Sequence, residues 1–116
     1  MLHTVIKHND KIAVIKVATE LNRGGREVAN ELRDTCNKLE EEGFTMLVLD
    51  FALIKLCPSI VFGNLLVLAK RMAQKQGRVL IANPSETVEK AARITGLTTS
   101  ITMCKDVPTA IAEVGG

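Results

Sequence analysis

The chain has 116 residues, 47% hydrophobic and 24% charged, and 15 Lys and Arg against 13 Asp and Glu give it a formal net charge of +2. That length suits one core, and the composition is that of a globular chain and not a disordered one. No apolar run approaches the roughly 18 residues of a membrane-spanning helix, no basic block invites nucleic acid or an anionic surface, and three Phe are the only aromatic residues, too few for a base-stacking surface.

Leu2 to Lys7 and Lys11 to Val17 are β-rich runs separated by His8-Asn9-Asp10, which favours a tight reversal, so the chain is expected to open with a hairpin. Both histidines, His3 and His8, fall there and are expected at the surface. Gly24-Gly25 forms neither a dinucleotide fingerprint nor a Walker loop and reads as the start of a helix. Val28, Leu32, Thr35 and Leu39 then share one helical face, Glu40-Glu41-Glu42 reads as a solvated helix end, and Gly43 stops the helix. Thr45 to Leu49 is almost wholly apolar and ends in Asp50, the pattern of a central strand covered on both faces.

Pro58 holds Cys57 extended, and Ser59 is placed to cap a helix from Ile60 to about Gln76, closed by Gly77. Arg78 to Ala82 is a further strand, Asn83-Pro84-Ser85 starts another helix, and Gly96 ends it. A weak strand from Ser100 to Met103 precedes Asp106 as the cap of a short last helix. Strands alternating with helices imply an α/β fold: a mixed, mostly parallel sheet of four to five strands with an N-terminal hairpin and about four helices. A single domain over residues 1–116 is expected.

Cys36, Cys57 and Cys104 are odd in number, widely spaced and contain no C-x-x-C, which points to a reducing compartment and to small buried hydrophobes. The first residues lack the continuous apolar stretch of a secretory signal, so the expected location is cytoplasmic.

On the helix after Pro58, Val61, Leu65, Leu68, Ala69 and Met72 form a core face at about 100° per residue. Ile60 and Val67 lie in the middle of the opposite arc, where polar residues are the norm. Ile60, Asn64, Val67 and Arg71 are spaced i, i+4, i+7 and i+11, the anchor pattern of a docking helix. A phosphate on Ser59 would meet the positive end of that helix.

The order of elements and the residues after the central strand resemble the STAS domain of anti-sigma factor antagonists, over essentially the whole chain. Leu49-Asp50-Phe51 matches the family's L-D-L strand end, and Pro58 to Gly63 falls on its D-S-S-G-L-G motif. The resemblance assigns Ser59 to the phosphorylated serine and Gly63 to the last glycine, while Pro58, Ile60 and Val61 replace the motif's aspartate, second serine and first glycine. Thr19-Glu20-Leu21-Asn22 stands for the family's G-E-L-D, and Gly77 to Leu97 for its G-x-x-L-x-x-x-x-P-x…T-G-L tail. It implies a non-enzymatic regulator that binds a kinase-type anti-sigma factor at the helix start and is switched at Ser59; joined to the helical spacing, the expected contacts are Ser59, Ile60, Gly63, Asn64, Val67 and Arg71, with Asn22 alongside. Other readings are an accessory subunit of a membrane transport or signalling complex, without phosphorylation, and a homo-oligomer joined through Ile60 and Val67.

Asp50 at a strand end also suggests a receiver domain, but the second acidic cluster that would hold magnesium is missing from the opening strands. No Ser-His-Asp or Cys-His grouping is suggested, and no cofactor or metal is expected. A small ligand near Asp50 stays open.

Overall fold

The computed structural model describes residues 2–115. β1 (Thr4–Lys7) and β2 (Ile12–Lys16) form the hairpin, with Val5 opposite Ile15 and Ile6 opposite Val14. Its turn is held by Asn9, whose Oδ1 accepts from the Lys11 and Ile12 N–H groups, both at 2.8 Å. A 3₁₀ turn (Thr19–Arg23) leads to α1 (Arg26–Glu41), and β3 (Met46–Asp50), α2 (Ser59–Ala73), β4 (Arg78–Ala82) and α3 (Glu86–Ile94) follow. A second 3₁₀ turn (Leu97–Thr99), β5 (Thr102–Cys104) and α4 (Val107–Glu113) complete the order.

The five strands lie in sequence order, β1 antiparallel to β2 and the rest parallel. Each parallel strand is added on the same side of the last, so right-handed crossovers carry α1, α2 and α3 to one face. Ala13, Ile15, Leu47, Leu49, Val79 and Ile81 meet them there. Val14, Val48, Leu80 and Ala82 point the other way, under Ala110, Val107 and Ile111 of α4. β3 is therefore covered on both sides, as its apolar run requires.

Three expectations change. His3 is 2% exposed, not a surface residue, because its Nδ1 accepts from the Ala18 N–H at 3.0 Å and draws the ring over the end of β2; His8 is exposed. α2 stops at Ala73, the left-handed turn residue is Gln76 at φ 62°, and Gly77 serves close packing: a Cβ there would lie 2.4 Å from the Thr45 carbonyl oxygen. The last strand starts two residues late because Leu97–Thr99 coils into the 3₁₀ turn that buries Leu97 and Ile101.

Candidate functional site

The residues between β3 and α2 are shaped by what they bury. Phe51 and Ile54 are 0% and 1% exposed and pin the loop to the core, whereas Leu53 and Leu56, at 44% and 60%, face outward. Ser85, which caps α3 by accepting from the Val88 N–H at 3.1 Å, also donates from Oγ to the Lys55 carbonyl at 3.3 Å. The Asp50 carboxylate fastens the ends of β3 and β4: its Oδ1 accepts from the Ala52 N–H and from Asn83 Nδ2, each at 3.0 Å. Among the described residues no cluster of His, Cys, Asp or Glu is arranged to hold a metal ion.

Ser59 does not cap α2. Pro58, at φ −59° and ψ 143°, is the N-cap and Ser59 is the first helical residue, because the extended Pro58 already turns its carbonyl to the Val61 N–H at 3.0 Å. Proline has no side-chain acceptor, so the first turn of α2 has no side-chain cap and carries no acidic residue. Ser59 is exposed, and its Oγ has no hydrogen-bond partner among the described residues. The thiol of the preceding Cys57 is pushed up to about 12 by burial, which keeps it protonated and inert.

The stripe along α2 divides. Ile60 and Val67 are 44% and 62% exposed. Asn64 leans toward α1 into a narrow cleft lined by Ala29, Leu32, Cys36, Val61 and Leu65, where its Nδ2 is buried without a partner among the described residues. Arg71 also turns to α1, donating from Nε to Glu40 Oε1 and from Nη2 to Asn37 Oδ1, both at 2.8 Å. Glu40 is thus no solvated helix end. Its side chain is 7% exposed, bonds from Arg71 and Lys75 hold its carboxyl below the ordinary range against the opposing effect of burial, and Lys75 Nζ lies 2.9 Å from Oε2. Gly63 is exposed, with Ser59, Phe62, Leu66, Thr95 and Leu97 around a shallow groove.

Asn22 reaches the same loop from the 3₁₀ turn, bonding the main chain of Leu53, Lys55 and Leu56. Sequence reasoning overlooked Leu53 and Leu56. The available signal was apolar residues in a segment with neither strand nor helix period.

These features define an α/β domain that presents an exposed serine at the start of a helix, with apolar side chains standing out around it. The STAS domain family model matches residues 3–110, and the chain belongs to that family. No relative of curated function matches it in sequence. Among solved structures, it is similar to the anti-sigma factor antagonist SpoIIAA in its unphosphorylated form, at 20% identity and a TM-score of 0.80, over 97% of this chain and 95% of that one. The Bacillus cell fate determinant SpoIIAA in its phosphorylated form matches at 19% and 0.72, over 97% and 98%. An anti-sigma-factor antagonist (STAS) domain protein from Planctomyces limnophilus matches at 14% and 0.83, over 98% of both chains. These likenesses bear on the fold.

Proposed function

We propose that this chain is a single-domain, non-enzymatic cytoplasmic regulator of the anti-sigma factor antagonist type, binding a kinase-type anti-sigma factor through the start of α2. The observation that carries the reading is the exposed Ser59 at the first helical position, with Leu53, Leu56, Ile60 and Val67 exposed on the same loop and helix. Ile60, Gly63 and Val67 are the proposed contacts, with Asn64 and Arg71 at their α1 border. Phosphate on Ser59 would add about two negative charges at a helix start with free N–H groups and no acid of its own. The same charge beside Ile60 would repel an acidic or apolar partner surface and release it. A protein of the same fold, SpoIIAA, has a structure in its phosphorylated form, which supports a phosphorylation switch as the reading for this chain.

Pro58 favours a second reading. It replaces the family motif's aspartate, and a kinase that requires the acid would leave Ser59 unmodified, making the chain a permanently docked subunit of a larger complex. Incubation with ATP, magnesium and the kinase-type anti-sigma factors of the same source, followed by mass spectrometry, tests both. Phosphate on Ser59, absent in Ser59→Ala, is the expected result. A stable complex without phosphate would overturn the switch and leave constitutive binding.

A further inference from the structure

Asn22 spends both ends of its amide on the loop that leads to α2. Nδ2 donates to the Leu53 carbonyl at 2.8 Å, and Oδ1 accepts from the N–H groups of Lys55 and Leu56 at 2.6 and 3.1 Å. Between these bonds Ile54 is buried at 1% exposure, while Leu53 and Leu56 stand out at 44% and 60%. Left free, such a loop gains by folding its leucines onto apolar surface. Here the main chain is fastened on either side of the Ile54 anchor, and that outcome is closed to it.

We infer that Asn22 is a positioning residue for the interface: it holds Leu53 and Leu56 outward as an apolar pair ahead of Ser59 and acts through the loop, without touching the partner. The inference rests on the proposed docking at α2. It also gives a reason for asparagine where the family pattern has aspartate. A carboxylate has acceptors only, so it serves the Lys55 and Leu56 N–H groups but sets an oxygen lone pair against the Leu53 carbonyl. The amide alone satisfies all three partners.

The experiment pairs amide hydrogen exchange with binding to a purified kinase-type anti-sigma factor of the same source. In Asn22→Ala, the Lys55 and Leu56 amides should exchange roughly tenfold faster or more while β3 amides keep their protection, and affinity should fall by a similar factor. That loss should vanish when Leu53 and Leu56 are both alanine, since no pair then remains to be positioned. Unchanged exchange at Lys55 and Leu56 would overturn the inference. So would an affinity loss that persists undiminished in the Leu53→Ala, Leu56→Ala background, which would make Asn22 a direct contact. Should Asn22→Ala unfold, Asn22→Ser carries the same comparison, since its shorter side chain does not span the distance to the Lys55 and Leu56 N–H groups. If the natural chain binds no anti-sigma factor, the proposed function fails, while exchange at Lys55 and Leu56 still decides whether Asn22 holds the loop.

Discussion

Glu40 and Arg71 are joined at 2.7 Å across the interface of α1 and α2, one helical turn before Lys75 reaches the same carboxylate. The acid is nearly buried at 7% exposure, while Arg71 and Lys75 keep 40% and 55% of their side chains in water. Glu40→Gln should therefore lower stability by about 1 kcal/mol, since the two cations recover hydration when the charge is removed. Glu41→Gln, at the exposed neighbouring position, should have almost no effect. Urea midpoints of the two variants decide this, and equal midpoints would remove the special role of Glu40. Because the Glu40 carboxyl is held below its ordinary range, its contribution is complete above that range and is lost as pH falls through the depressed value.

Gly63 and Gly77 should respond to alanine in opposite directions. A Cβ at Gly63 meets nothing within 4 Å, and its φ lies outside the left-handed region, so neither packing nor conformation within this chain requires glycine. Gly63→Ala should raise stability by about 0.5–1 kcal/mol from helix propensity. If Gly63 lies in the interface, the same variant should bind the partner less well, a combination that a purely internal role does not produce. At Gly77 the new carbon would stand 2.4 Å from the Thr45 carbonyl, which is itself bonded to the Arg78 N–H at 2.9 Å and cannot move aside freely. Gly77→Ala should cost about 1–3 kcal/mol, as other overpacked sites do. Thermal midpoints moving the same way in both variants would contradict this account.

The legible parts of the fold are those set by local chemistry. β3 could be read from an apolar run with no alternation, and Ser85 and Asp106 from short polar side chains ahead of a helix, where each now accepts a capping bond. Ser59 has the same appearance in sequence, but the geometry of Pro58 moves the helix start one residue earlier. His3 and Glu40 were misread because their partners, the Ala18 N–H and the Arg71 guanidinium, are distant in sequence and meet them only in the folded chain. A helical wheel gives the angle of Asn64 and Arg71 correctly. It does not say that α1 lies beside that angle, which is what divides the predicted stripe.

His3 should make stability depend on pH below neutrality. Its Nδ1 accepts from the Ala18 N–H, so the neutral ring carries its proton on Nε2, which is buried and has no partner among the described residues. A second proton at Nδ1 would face that N–H donor to donor. Burial lowers the pKa of the ring, outweighing the upward pull of the Val28 backbone and of the Glu31 and Glu20 carboxylates. A depressed folded-state value means that the unfolded chain takes up the proton first. The His3 contribution is therefore complete above about pH 6.5 and declines below it, by at most about 1.4 kcal/mol per pH unit between the two values. Urea midpoints from pH 7.5 to 5 should fall in the natural chain and flatten in His3→Gln, whose amide oxygen can still accept from Ala18. An unchanged slope would assign the effect to another group.

Ile60 and Val67 separate the proposed regulator from a self-associating chain. Both are exposed, at 44% and 62%, so an aspartate at either should shift folding by less than about 0.5 kcal/mol. At position 60 the new charge sits in the first turn of α2, where the helix dipole favours it. Ile60→Asp should fold as well as the natural chain, and a binding defect then belongs to the surface. For a regulator that docks on a partner, sedimentation should give a monomer for the natural chain and both variants, with affinity for the anti-sigma factor falling roughly tenfold or more in each. Because Val67→Asp sets its charge two turns away from Ser59, a loss there reports the apolar contact and not mimicry of the phosphate. A dimer in the natural chain that both substitutions convert to monomer would instead identify Ile60 and Val67 as a self-complementary patch.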